Sequence, residues 1–188
     1  MLACLASVPL VTGCDRTEFR AFPGDTLRER IGAVASPVTL APLQRDFLTE
    51  AAQASLFEIE ASRIALARGG SAAVRRFAEA TLRDRVSIDT DLEQLAQSVG
   101  VVLPSHLSDE FQARLAVLEQ LTGRDFDRAY ARNVGVIAPE QALAAFERAA
   151  DPAGARVQRF AANQIPALRA HLEQGRRLET EIDRTNMA

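Results

Sequence analysis

The sequence predicts an all-α protein, an antiparallel four-helix bundle with one additional short helix. Long stretches carry apolar residues every three or four positions, and no stretch shows the alternation that is typical of strands. Apolar residues make up 47% of the 188 residues, which is enough to form a core. Alanine and leucine supply much of that content, and such residues favour close helix packing. The predicted bundle domain covers residues 40–188.

The helix predicted between Ser71 and Gly100 organises the rest of the chain. Ser71 is suited to capping its first free amides, and Gly100 is suited to the left-handed conformation that ends a helix. Arg85 falls three residues before Ile88, on or beside the apolar stripe. An arginine in a dry core requires a carboxylate partner. The alternative is that Arg85 lies at the edge of the stripe and extends into water.

The first helix is predicted over about residues 40–68. Glu58 follows Phe47 by eleven residues, or about three turns, and precedes Ala61 by three, so it belongs to the inner face. The alternative is a solvated carboxylate at the margin of that face. Glu58 is therefore the candidate partner of Arg85.

A short helix is predicted over 108–121, after a linker that contains His106, for which solvation is the expected state. The third long helix is predicted to begin near Arg124. Gly135 and Pro139 lie four residues apart within it, and a proline both lacks an N–H and crowds the preceding turn. We therefore expect a kink or a break between Gly135 and Pro139.

The last helix is predicted to begin at Asp151 and Pro152, a pairing typical of a cap and first turn. Pro166 interrupts its hydrogen bonding, so a bend is expected there. His171 lies on its apolar stripe. A buried structural histidine and a metal ligand are both compatible with that position.

Residues 1–14 carry no charge and are too short to span a bilayer as a helix. They are typical of an export signal, and the segment ending at Cys14 matches the pattern of a bacterial lipoprotein leader, in which the cysteine is lipidated. The alternative is a chance match within an ordinary leader. The lipid on Cys14 would tether the domain to a membrane surface in the periplasm. Residues 15–39 are predicted to form a tether with a short docking element.

The charge pattern excludes nucleic acid as a partner, because the net charge is −3 and the 22 basic residues, all arginine, are interleaved with acidic ones. The sequence also shows no Ser-His-Asp, Cys-His or phosphate-loop pattern, so the chemistry available for catalysis is limited. Partner proteins are not indicated.

Several short motifs resemble a bacterial family of unknown function, DUF4142, over about residues 46–178. The similar segments are Val102-Leu103-Pro104, Leu121-Thr122-Gly123, Phe126-Asp127, Ala129-Tyr130, Ile165-Pro166-Ala167-Leu168 and His171-Leu172. This resemblance implies a ferritin-like helical bundle that is usually exported and is often described as an outer-membrane protein. It implies no established activity.

The family pattern has a glutamate on the first helix, an Asp-His pair on the second, and a histidine on each of the third and last helices. Glu58, Asp84 and His171 match three of these positions, whereas Arg85 and Pro139 stand where the other histidines would be. Three imidazoles and a carboxylate would suit a transition metal. The resemblance therefore implies that an ion pair replaces a metal site in this chain.

Three functions are compatible with these observations. The preferred one is a non-catalytic bundle tethered in the cell envelope, without a cofactor, whose buried polar cluster is Glu58, Arg85 and His171. The second is a protein that binds a metal or handles oxidants through Glu58, Asp84 and His171. The third is a small apolar ligand-binding module, with a pocket opened by helices that splay at Pro139 and Pro166.

Overall fold

The computed structural model describes residues 40–68, 70–151 and 154–187, and these residues form five helices and no strand. Helices α1 (Pro42–Arg68), α2 (Ala72–Ser98), α3 (Asp109–Gln120) and α5 (Arg156–Met187) are α-helical. Helix α4 spans 123–149 and consists of an α-helical Gly123–Tyr130, a π-helical Ala131–Ile137 and an α-helical Ala138–Ala149. The leader, Cys14 and the tether predicted for residues 1–39 lie outside the described residues.

The four long helices form a ring in which each lies antiparallel to its two neighbours. Helices α1 and α2 form a hairpin, α4 packs on α1, and α5 packs on both α2 and α4. The α1–α4 pair shows the direction: Phe47 contacts Phe146 near one end, while Ser62 hydrogen-bonds to Tyr130 nearer the other. The predicted all-α, antiparallel arrangement is confirmed.

The short helix α3 belongs to the crossover that connects the end of α2 to the start of α4. The backbone N–H of Ser108 donates to the side chain of Gln53, and the side chain of Arg68 donates to the carbonyl of Leu121. These contacts place α3 beside α1 and running in the same direction. As a result, α4 starts at the end of the bundle where α1 finishes.

The ends of α2 are formed as the sequence predicts. The hydroxyl of Ser71 accepts a hydrogen bond from the N–H of Val74, and Gly100 has a φ of 72°. The carboxylate of Asp127, on α4, accepts two hydrogen bonds from the N–H of Ser71, at 3.0 and 3.2 Å. The buried carboxylate of Asp127 on α4 thus accepts from a backbone N–H at the N-terminus of α2, which has no partner within that helix.

Of the kink or break predicted between Gly135 and Pro139, the break does not occur, and the kink stays a prediction. Helix α4 continues through Gly135 and Pro139, and the irregularity appears as π-helical hydrogen bonding over Ala131–Ile137. The N–H of Ala138 donates to the carbonyl of Asn133, five residues earlier. This wider turn precedes Pro139, which then occupies the start of an α-helical stretch, where its missing N–H costs little.

The start predicted for the last helix is also wrong, because α5 begins at Arg156 rather than at Asp151. The N–H of Asp151 donates to the carbonyl of Gln158, and the side chain of Gln158 accepts from the N–H of Ala155. Gln158 thus takes part in the turn that precedes the helix. Pro152 lies outside the described residues. Helix α5 runs through Pro166 without interruption, and the bend there stays a prediction.

Two clusters of buried apolar residues fill the bundle, one towards each end. The first includes Phe47, Leu48, Leu92, Phe146 and Leu168, and the second includes Phe57, Val74, Phe77, Phe126 and Tyr130. Within the part of the chain that the structure describes, no helix has the length and apolar content to cross a membrane.

The backbones of helices α4 and α5 come into close contact at two glycines. A methyl group added to Gly175 would lie 1.7 Å from the carbonyl oxygen of Gly135, whereas one added to Gly135 would lie 3.1 Å from the Cα of Gly175. No side chain fits at Gly175 unless the backbones separate. The contact therefore fixes the spacing of α4 and α5 beside the π-helical stretch.

We expect Gly175→Ala to destabilise the fold by about 1–3 kcal/mol, the usual cost of overpacking, although alanine is the better helix former. Gly135→Ala should cost less, because its added methyl has more room. Chemical denaturation of both variants gives the comparison. Equal stability of the wild type and Gly175→Ala would show that the two helices are not held this close.

Candidate functional site: a buried ion pair within the bundle

The most unusual feature of the interior is an ion pair between Glu58 on α1 and Arg85 on α2. The Nε of Arg85 lies 2.7 Å from the Oε2 of Glu58, and the two side chains are 4% and 0% exposed. His171 on α5 completes the cluster, with its Nε2 3.4 Å from the same Oε2. Side chains from α2 and α5 thus meet at one carboxylate oxygen of Glu58 on α1.

Helix geometry explains why these side chains point inward. Glu58 shares the buried face of α1 with Phe57, Ala61 and Ala65, and Arg85 follows the buried Thr81 by four residues on α2. Removing either charge from water is expensive unless the partner lies close. The pair is therefore a constraint on how α1 and α2 pack.

The charges of the cluster keep Glu58 ionised. Burial acts to raise its pKa, but the positive charge of Arg85 and the interaction with His171 outweigh that effect and hold the pKa below its ordinary value. Because the folded pKa is the lower one, the ionised carboxylate stabilises the fold above the unfolded pKa. That contribution is lost as the pH falls through the folded value.

The cluster is only partly hydrogen-bonded. Glu58 Oε1, Arg85 Nη2 and both ring nitrogens of His171 are buried polar atoms without a hydrogen-bond partner. The ring of His171 stacks on Phe77, with centroids 5.1 Å apart. Buried polar atoms of this kind are uncommon and are costly in a dry interior. The cluster thus combines the short contact between Glu58 and Arg85 with surrounding polar atoms that have no hydrogen-bond partner.

Further polar groups surround the pair. The hydroxyls of Ser62 and Tyr130 lie 2.8 Å apart and share a hydrogen bond, and the hydroxyl of Thr81 donates to the carbonyl of Phe77 at 2.9 Å. Burial raises the pKa of the Tyr130 phenol, so this group stays neutral. Together with the ion pair and His171, these groups give all four long helices a polar side chain in the core.

Arg114 connects the crossover helix α3 to this region. Its guanidinium lies over the rings of Phe57 and Phe111, at 4.6 and 5.1 Å from their centroids, and donates to the side chain of Gln141 at 3.3 Å. Burial lowers the pKa of Arg114, while Glu110 and Glu58 act in the opposite direction. The carboxylates of Glu110 and Glu58 thus both favour the charged form of Arg114.

The metal site considered for Glu58, Asp84 and His171 is not assembled. Asp84 is exposed, because it precedes the inward-facing Arg85 by one residue and so lies on another face of α2. The described residues contain no group of three or more His, Cys, Asp or Glu side chains placed to hold a metal. Glu58 and His171 remain as two ligands, and the adjacent guanidinium repels a cation. These residues do not fit a metal.

The sequence located Glu58, Arg85 and His171 by their helical spacing, and the structure brings these three together. Sequence reasoning missed Ser62, Thr81 and Arg114 as neighbours of the pair. The spacing of four residues from Glu58 to Ser62, and from Thr81 to Arg85, is a signal that could have found the first two. The loop residue His106 is exposed.

The family of the chain follows from comparison with known proteins. The family model described as a domain of unknown function, DUF4142, matches residues 31–178, so the chain belongs to this family. No curated protein and no solved structure matches the chain.

We expect Glu58→Leu alone to destabilise the fold by about 3–5 kcal/mol, because it leaves Arg85 buried without a partner. The double variant Glu58→Leu/Arg85→Leu should recover much of that loss, because no charge then remains unpaired. Chemical denaturation of the two single variants and the double variant measures the coupling energy.

The matched control is the pair Arg169–Glu147, whose N–O distance is also 2.7 Å but whose side chains are 64% and 45% exposed. Glu147→Leu should change stability by less than about 1 kcal/mol. If Glu58→Leu costs no more than Glu147→Leu, the buried pair does not stabilise the bundle.

Proposed function

We propose that this protein is a non-catalytic, ferritin-like bundle held at a membrane surface of the cell envelope by a lipid on Cys14. In this proposal the Glu58–Arg85 ion pair takes the position that a metal centre would occupy. The observation that carries it is the buried contact of 2.7 Å between the guanidinium and the carboxylate.

The topology supports the ferritin-like assignment. Helices α1 and α2 form one antiparallel hairpin and α4 and α5 form another, and a single crossover that contains α3 joins them. Four-helix bundles of the ferritin-like class have one such long crossover. Helices α1 and α5 consequently run in the same direction.

The composition of the cluster supports a structural role. A guanidinium stays protonated at any physiological pH, so Arg85 gives Glu58 a permanent counter-charge within the core. A metal ion would have to displace that charge and would find a single imidazole, that of His171. An ion pair of this kind holds α1 and α2 in one register, because sliding either helix by a turn would separate the charges.

The amino-terminal pattern supports the envelope location. An uncharged segment ends at Cys14, and charge begins at Asp15. The family match starts at residue 31, so the uncharged segment and Cys14 both precede it. A single lipid-bearing cysteine would attach the domain to the bilayer while the bundle stays in water.

The test is to express the full chain and its Cys14→Ser variant in a diderm bacterium, without a histidine tag, and to separate membrane from soluble fractions. The wild type is expected in the membrane fraction and Cys14→Ser in the soluble one. Elemental analysis of the purified wild type should give less than about one metal per ten chains, because Arg85 excludes a cation.

Two results would contradict this account separately. If the wild type and Cys14→Ser distribute equally between the fractions, Cys14 does not carry a lipid that anchors the protein. A stoichiometric metal that is lost in His171→Ala would show that the cluster is a metal site after all.

A further inference from the structure

The end of the bundle at which the chain enters carries an uncharged turn. Helix α1 begins at Pro42 and the antiparallel α2 ends at Ser98, so residue 40 and the turn that follows α2 lie at the same end. That turn reads Val99-Gly100-Val101-Val102-Leu103-Pro104 and contains no charged or hydrogen-bonding side chain. We call residues 99–104 the apolar turn.

The apolar turn is fixed to the bundle but exposes its tip. Val99, Val101 and Leu103 pack against the buried cluster that includes Leu40, and the N–H of Val101 donates to the carbonyl of Ala96 at 2.9 Å. The tip residue, Val102, is nevertheless 94% exposed. A turn between helices is ordinarily rich in polar residues, so this one is suited to surroundings less polar than water.

A second apolar side chain is exposed at the same end. Leu43, in the first turn of α1, is 62% exposed. A single exposed aliphatic residue is common on protein surfaces. Leu43 and Val102 together, at the end of the bundle where residue 40 enters, give that end an apolar character.

The charged residues at this end are mixed in sign. Arg45, Arg156 and Arg159 are exposed there, and so are Asp46 and Asp151. This balance favours neither an anionic nor a cationic partner. It is compatible with the zwitterionic headgroups of phospholipids, between which long arginine side chains can extend.

The opposite end of the bundle differs in this respect. The turns there carry the exposed residues Arg68, before α2, and Arg124, at the start of α4. Such charged turns are suited to water. The two ends of the bundle are therefore distinguishable to a bilayer.

The connection to Cys14 brings the apolar end to the membrane. Residues 15–39 separate Cys14 from Leu40 and span at most about 90 Å when extended. A lipid on Cys14 would hold the domain near the bilayer at an effective concentration on the order of millimolar. Two aliphatic side chains bind a bilayer weakly by themselves, so the contact depends on this tether.

We propose that the apolar turn and Leu43 contact the surface of a phospholipid bilayer, with Val102 at the boundary between headgroups and acyl chains. This inference rests on the lipid anchor of the proposed function and adds the orientation of the domain. The helices then extend away from the membrane, and the turns at Arg68 and Arg124 face water.

The experiment uses the absence of tryptophan from the chain, which makes Val102→Trp the sole tryptophan reporter. The full chain with Cys4→Ser is made by cell-free synthesis, so that Cys14 is its single cysteine and stays a thiol. Cys14 is then coupled to a maleimide lipid in phosphatidylcholine vesicles that contain acyl-brominated phosphatidylcholine. Emission from Val102→Trp should be quenched at least about twofold more strongly than emission from the control variants, because a tryptophan at the bilayer boundary meets the bromines.

The matched controls are Val86→Trp and Val117→Trp, since these valines are 55% and 58% exposed on α2 and α3, away from the apolar turn. All variants share residues 1–39, so a difference in quenching comes from the bundle. Chemical coupling supplies the anchor whether or not a cell lipidates Cys14. A failure of the anchor in the cell fractionation is therefore distinguishable from a failure of the orientation.

A second reporter tests whether Val102 itself makes the contact. In the Leu43→Trp variant, the addition of Val102→Glu should reduce quenching at least about twofold, because a carboxylate disfavours insertion, whereas Val117→Glu should leave it unchanged. Circular dichroism should show that these surface variants remain folded. The proposal is overturned if Val117→Trp is quenched as strongly as Val102→Trp or more so, or if Val102→Glu has no effect.

Discussion

The contact between Glu58 and Arg85 is the constraint on which the rest of this structure depends. Its two charges come from adjacent helices and are almost completely buried, so each requires the other. The pair admits one register of α1 against α2. His171 then holds α5 against both helices, because its ring approaches the carboxylate of Glu58 on α1 and stacks on the ring of Phe77 on α2.

Close packing elsewhere follows from small residues. Gly135 and Gly175 allow the backbones of α4 and α5 to touch, and the π-helical stretch of α4 lies at this contact. On the other side of α4, alanines shared with α1 leave a groove open to solvent. Helix α4 therefore has one tightly closed face and one face that is open to solvent.

The helices and the inward-facing charges could be predicted from the sequence because both follow from a period of 3.6 residues. Glu58, Arg85 and His171 break an apolar pattern, and such a break is visible without coordinates. The π-helical stretch could not be predicted, since Gly135 and Pro139 indicate disruption but not its form. The groove depends on which alanines of α1 and α4 face each other, and that requires the packing itself.

The most direct test of the central claim is a ¹³C NMR titration of the side-chain carboxyl of Glu58, assigned by comparison with Glu58→Gln. If Arg85 holds this group ionised within the core, the carboxyl will titrate below its ordinary pKa of 4.5. In Arg85→Leu the same carboxyl should titrate at a higher pH, because burial then acts without the counter-charge. A wild-type carboxyl that takes up its proton at or above 4.5 would contradict the account.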